Sequence, residues 1–216
     1  MTTRGKFFTF EGPEGGGKTT QAKRLMQRLR EAGYEVVYTR EPGGTELGEA
    51  IRGILQHDAI KEPLTAESEV FLFLASRAQL VRNVILPALA EGKIIISDRF
   101  ADSTTAYQGY GRGFPVETML TLNAFAIGEA IPDVTLLLDV EINKAFERLA
   151  ERQKQLFEAP DRIEREAREF HERVRNGYLE LAKRFPDRYR MLNADREPHL
   201  VEADVWKIVN DLLRAG

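Results

Sequence analysis

The run Phe7-Phe8-Thr9-Phe10 is almost wholly apolar and leads into a glycine-rich turn, Gly12-Pro13-Glu14-Gly15-Gly16-Gly17-Lys18-Thr19. Beyond Lys18 the spacing changes: Ala22, Leu25, Met26 and Leu29 form a helical stripe that stops near Gly33. A strand apolar on both faces and followed at once by an amphipathic helix suits a parallel sheet covered on both sides. The alternation continues down the chain. Residues 36–38, 94–97, 134–138 and 189–192 read as further strands, and residues 47–55, 65–90 and 199–213 as helices, with Pro87 expected to disturb the longest one. The pattern predicts an α/β fold: a doubly wound, mainly parallel sheet with helices on both faces.

The chain has 216 residues and no internal repeat or Gly/Ser linker, so one domain over residues 1–216 is expected. It has no cysteine, which excludes a disulfide framework and thiolate metal sites. His57, His171 and His199 are scattered, so any metal should be a hard ion on oxygen ligands. Lys and Arg number 31 against 34 Asp and Glu, a net charge of −3 that gives no overall basic field for a nucleic acid. Apolar runs such as Ile94-Ile95-Ile96 fall well short of the about 20 residues of a bilayer span. A cytoplasmic location with neither membrane nor nucleic acid as partner is therefore expected.

The turn after the first strand fits G-x-x-x-x-G-K-[ST] in the strand-to-helix context that this motif requires. Converging backbone N–H groups hold phosphate oxygens, glycines permit the necessary conformations, and the following helix N-terminus adds partial positive charge. Gly12, Gly15, Gly16, Gly17, Lys18, Thr19 and Thr20 are the candidate nucleotide-binding residues. Lys18 is placed to reach the β- and γ-phosphates of ATP, and Thr19 to offer a hydroxyl to Mg²⁺. Mg²⁺ also needs a carboxylate at a neighbouring strand end. Asp98 and Asp139 both qualify, and Asp98 is favoured because Arg99 follows it at once as a cation for an acceptor phosphate.

The motif alone does not separate a kinase from a nucleotide-dependent switch, but the guanine-reading Asn-Lys-x-Asp and the transporter signature Leu-Ser-Gly-Gly are both absent. From 147 to 173 the chain is dominated by Glu, Arg, Lys and Gln, either a solvated helix pair or a mobile lid over about 147–165. Small size with such a lid favours a small-molecule kinase.

Five segments carry a family resemblance: Phe10-Glu11-Gly12, Thr39-Arg40-Glu41-Pro42-Gly43-Gly44-Thr45, Asp98-Arg99-Phe100, Ala106-Tyr107-Gln108-Gly109-Tyr110 and Asp161-Arg162-Ile163-Glu164. Together they resemble thymidylate kinase, in family order and over almost the whole chain. The resemblance implies a P-loop nucleoside monophosphate kinase fold, transfer of the ATP γ-phosphoryl group to dTMP, and a homodimer. It places Phe73 and Arg77 against the acceptor base, one helical turn apart and hence on one face. Phe73 would stack and Arg77 would donate to a base carbonyl, although pairing of Arg77 with a structural carboxylate remains open.

The resemblance further implies that Gln108 reads the polar edge of thymine with Thr104 in the same pocket, and that Tyr107 packs on the deoxyribose. By the same resemblance Arg52 and Arg99 would clamp the acceptor phosphate through the planar fork of arginine. Glu14, electrostatically odd in a phosphate loop, would point towards the sugar 3′-hydroxyl and nearby Mg²⁺-bound water. Lys18, Arg99 and a lid arginine would then form the catalytic set. Pro13, Glu14, Gly15 and Gly16 include no basic residue, so the chain resembles the subgroup whose catalytic arginine sits in the lid. Arg152 is the first choice, followed by Arg148 and Arg162. The acceptor phosphate is largely a dianion at neutral pH, with a second pKa of about 6, so no general base is needed. Residues 115–130 and 81–85 are candidate dimer surfaces that a monomer's own core would also explain.

Overall fold

Side chains alternate across β1 (Phe7–Glu11): Phe8 and Phe10 enter one apolar layer, and Phe7 enters the other. The computed structural model of the protein describes residues 4–56, 62–157 and 159–215; His57 and Glu158 of the lid lie outside them. After β1 come α1 (Lys18–Glu31), β2 (Val36–Arg40), α2 (Glu46–Gln56), α3 (Ala66–Leu80), α4 (Leu86–Ala90) and β3 (Ile94–Asp98). Then follow α5 (Ala101–Thr104), α6 (Val116–Ile127), β4 (Val134–Asp139), α7 (Ile142–Leu156), α8 (Arg168–Arg184), β5 (Tyr189–Asn193) and α9 (Pro198–Ala215). Two wider, π-helical stretches occupy Val81–Ile85 and Thr105–Gly111.

The five strands form one parallel sheet in the order β2-β3-β1-β4-β5. The chain leaves β1 towards β2 and later crosses back to β4, so the strand order reverses beside β1. A parallel α/β sheet opens a ligand crevice at the carboxyl ends of its strands at such a reversal. The phosphate-loop sequence begins there.

One face of the sheet packs Phe8, Phe10, Ile96 and Leu136 against Leu25 and Leu29 of α1 and Val205 and Val209 of α9. On the other face, Phe7 and Ile95 meet Leu80, Val81 and Ile85, while Leu137 and Tyr189 meet Phe170, Val174 and Tyr178 of α8. Each fully buried Phe or Leu contributes roughly 1.5–3 kcal/mol of transfer free energy. Helices on both faces are thus held by the same alternation that makes the strands apolar throughout.

The predicted long helix is present as α3, the π-helical stretch and α4. Pro87, near the start of α4, has no N–H to donate, and the expected disturbance takes the form of the π-helical register just before it. The stretch Ala66–Ala90 is long and apolar enough, by length and composition, to cross a bilayer. It nevertheless carries Glu69 and Arg77 buried in ion pairs, and Val70 and Leu74 pack on Met119 and Ala126 of α6. Those contacts make it a core helix of this fold.

α8 lies close against the Thr105–Gly111 stretch. A Cβ on Gly177 would stand 2.7 Å from the Tyr110 ring, and one on Gly111 would stand 2.7 Å from Phe170. This close approach fixes the segment that carries Tyr107 and Gln108.

Candidate active site

The glycines of the phosphate loop are required by geometry. Gly12 and Gly15 have φ of 137° and 69°, and a Cβ on either would lie 2.4 Å from a backbone oxygen, that of Leu138 or Ala145. The loop ends at Gly17, which caps α1 in a left-handed conformation. Lys18 is buried and its Nζ donates to the Pro13 carbonyl across the loop at 2.7 Å. Burial, followed by the charge of Arg99, pulls its ammonium down to about 8 against the opposing attraction of Glu14, Asp98 and Glu11. Thr20 follows on the exposed side of α1.

The Thr19 hydroxyl donates to Asp98 Oδ2, so the two predicted metal-site residues meet at the carboxyl end of β3. Tyr38 of β2 stands beside Asp98. Burial, with the negative charge of Asp98, pushes its phenol up to about 12. Asp139 is engaged elsewhere: Arg175 Nε and Nη2 donate to its two carboxylate oxygens at 2.7 and 2.9 Å. A hydroxyl beside one carboxylate is an oxygen-only donor set that fits Mg²⁺. No group of three or more His, Asp or Glu able to hold a metal occurs among the described residues, so water and substrate phosphates would complete the coordination.

Arg99 follows Asp98 and turns the other way, with φ of 69°. Its Nη2 donates to Glu14 and, at 3.1 Å, to the Tyr107 hydroxyl, which in turn donates to Glu14 Oε1 at 2.9 Å. Its Nη1 reaches the Gly12 carbonyl at 3.2 Å. Burial alone would raise the Glu14 carboxyl, but Arg99, then Lys18 and Tyr107, hold it down at about 2. The acid that looked misplaced in a phosphate loop is thus neutralised by an arginine from the next strand.

Glu11, the last residue of β1, was missed as a member of the site. Its carboxylate accepts from Phe100 N–H at 2.7 Å, Ser103 Oγ at 2.6 Å and the Tyr178 hydroxyl at 2.9 Å. Burial, with the charge of Asp102, raises it to about 7 although Ser103, Arg99 and Tyr178 oppose the shift. Its sequence signal was an acid ending an otherwise apolar strand.

On α3, Glu69, Phe73 and Arg77 recur every four residues and share one face. Arg77 is 1 % exposed. Its Nε donates to Glu41 Oε2 at 2.9 Å and its Nη1 to Thr104 Oγ1 at 2.9 Å and Asn123 Oδ1 at 2.7 Å. Its Nη2 donates to Glu41 and to the Phe100 carbonyl at 3.1 Å. All five N–H groups therefore have protein acceptors. The structural carboxylate that the sequence left open as a partner of Arg77 is Glu41. Thr104 is likewise occupied by Arg77, while Phe73 is half-buried and packs with Tyr107 and Phe170.

Gln108 is buried and its Nε2 donates to Glu69 Oε1 at 2.7 Å. Glu69, the second residue missed, also accepts from Arg112 Nε at 2.7 Å, Arg112 Nη2 at 3.0 Å and Arg162 Nη2. The four-residue spacing to Phe73 and Arg77 was the available signal. Arg162 also reaches the Leu55 carbonyl at 3.0 Å. Arg52 of α2 donates to the Pro42 carbonyl at 3.0 Å. The other lid arginines are held apart: Arg152 Nη2 pairs with Glu164 at 2.5 Å, and Arg148 Nη1 donates to the Ala194 carbonyl at 2.9 Å.

A thymidylate kinase family model matches residues 10–205. The chain belongs to the thymidylate kinase family. It is 50 % identical over 212 residues to thymidylate kinase of Pelotomaculum thermopropionicum, covering 98 % of this chain and 96 % of that protein. It is 45 % identical over 210 residues to the Deinococcus radiodurans enzyme, covering 97 % and 98 % of the two chains. Among solved structures, thymidylate kinase from Ehrlichia chaffeensis superposes with a TM-score of 0.76 at 35 % identity, covering 95 % of this chain and 99 % of that one. The family phosphorylates dTMP to dTDP with ATP. Its P-loop nucleoside monophosphate kinase fold is the parallel sheet described above.

Proposed function

We propose that the chain performs this phosphoryl transfer as one kinase unit, with donor and acceptor meeting above the carboxyl ends of β1 and β3. The observation that carries the reading is the divergence of Asp98 and Arg99. One is hydrogen-bonded to Thr19 on the donor side, and the next is paired with Glu14 and Tyr107 on the acceptor side. The phosphate loop from Gly12 to Thr20 holds the ATP phosphates, and Lys18 exchanges the Pro13 carbonyl for a phosphate oxygen. Thr19 and Asp98 would hold Mg²⁺, which supplies charge neutralisation of the triphosphate when bound.

Arg99 and Arg52 position the dTMP phosphate, whose oxygen attacks the γ-phosphorus as the bond to ADP breaks. Tyr107 and Glu14 line the sugar side, and Phe73 with Gln108 lines the base. Arg77 shapes the pocket by fixing Thr104 and Glu41. Residues 147–165 close as a lid, excluding water and bringing Arg152 to the transferring group. Two copies pair through α3 and α6, where Phe71 is 63 % and Phe125 is 86 % exposed. The enzyme works in the cytoplasm.

The test is ADP release from the purified protein with ATP and Mg²⁺, compared with no acceptor, dTMP, thymidine and the other nucleoside monophosphates. Release stimulated largely by dTMP is expected. Strong release without acceptor would point instead to a nucleotide-dependent switch, and stimulation by thymidine alone to a nucleoside kinase.

A further inference from the structure

Glu69 is a fully buried acid at the start of the α3 face that also carries Phe73 and Arg77. Two arginines from different parts of the chain converge on it, Arg112 after the π-helical stretch and Arg162 in the lid. Burial favours its neutral form, but hydrogen bonds and charge from Arg112, then Arg162, hold it ionised below the usual carboxylate range. An ionised carboxylate has no hydrogen to donate. The amide end of Gln108 that faces Glu69 must therefore be the NH₂, and the oxygen must lie on the opposite side of the group. Among the described residues no hydrogen-bond donor reaches Gln108 Oε1.

We propose that Glu69 is a positioning residue for substrate selection: it locks the Gln108 amide so that an acceptor, never a donor, faces the pyrimidine edge. The inference rests on the reading above that Gln108 lines the acceptor base. An acceptor at that place matches the N3–H of thymine or uracil. It opposes the lone pair on N3 of cytosine. The same carboxylate anchors Arg162, so lid docking and base reading share one charge.

The experiment compares kcat/KM for dTMP and dCMP in the wild-type enzyme and in Glu69→Gln, Gln108→Leu, Arg162→Met and the exchange Glu69→Gln/Gln108→Glu, with folding of each checked by thermal melting. A glutamine at 69 offers either end to Gln108 and releases the lock. Glu69→Gln is expected to lower the dTMP:dCMP ratio by about tenfold or more, mainly through KM for dTMP. Arg162→Met loosens the lid but leaves the ratio within about twofold, which separates selection from lid docking. The exchange variant keeps one carboxylate in the pair and returns an acceptor to the base, so its ratio recovers towards wild type. It also tests the idea if the single variant fails to fold. An unchanged ratio in Glu69→Gln, or no recovery in a folded exchange variant, overturns the proposal. If Gln108→Leu loses the ratio while Glu69→Gln keeps it, Gln108 still reads the base and only the lock is wrong. If Gln108→Leu also keeps it, the reading of Gln108 falls as well.

Discussion

Arg77 Nε donates to Glu41 Oε2 at 2.9 Å, joining α3 to the loop after β2 with both side chains at most 3 % exposed. A buried charge with its partner removed is far more costly than a surface one. Glu41→Gln is expected to destabilise the fold by about 3–5 kcal/mol in a denaturant titration. Arg77→Met/Glu41→Leu should lose clearly less than the two single losses combined, because no unpaired charge remains. Additive losses would show that the pair does not act as a unit.

Asp98 and Asp139 both end strands, yet only Asp98 meets Thr19. Asp98→Asn should raise the Mg²⁺ concentration needed for half-maximal activity by about 10–100-fold. Asp139→Asn should leave that concentration unchanged and cost about 1 kcal/mol of stability at most, since its pair with Arg175 is partly solvated. A Mg²⁺ titration of the two variants side by side distinguishes these roles.

Glu14 and Glu11 tilt the dependence of stability on pH in opposite directions. Glu14 is held at about 2 against an ordinary value of 4.5, so its stabilisation is complete above 4.5 and is lost as pH falls towards 2. The full amount is on the order of 3 kcal/mol. Glu11 is raised to about 7, so the folded state holds a proton that the unfolded chain has released. Stability from this group falls as pH rises from about 4.5 to 7 and is flat above that window. Denaturant midpoints from pH 3 to 8 should show Glu11→Gln removing the decline between 4.5 and 7. A profile in that window identical to wild type would rule out Glu11 as its source.

Arg152 pairs with Glu164 while its side chain is 47 % exposed, a tie that lid movement can break at little cost. Arg152→Ala should lower kcat by about 100-fold or more with only small changes in melting temperature. A loss of only a few-fold would move the catalytic role to Arg148 or Arg162. Single-turnover measurements read the chemical step directly.

The amino-acid sequence by itself determined the strand and helix alternation, the phosphate loop and the family, because those signals lie within a few residues of one another. Apolar period, a glycine at a left-handed position and the order of short motifs need no knowledge of distant neighbours. All five predicted strands are present, with boundaries differing by one or two residues, and within the charged segment Arg162 reaches back to Leu55 of α2 and Glu69 of α3. Partners far apart in the chain were not legible. Glu41 and Arg77 are separated by 36 residues and Glu69 and Arg162 by 93, and nothing in either segment names the other. Only the packing of α3 against the loop after β2, α5 and α6 used up the N–H groups of Arg77, and only α8, through Arg175, drew Asp139 away from Thr19. A side chain's role is set by which donors and acceptors the fold leaves unpaired around it, a property of the assembled tertiary structure that local sequence does not encode.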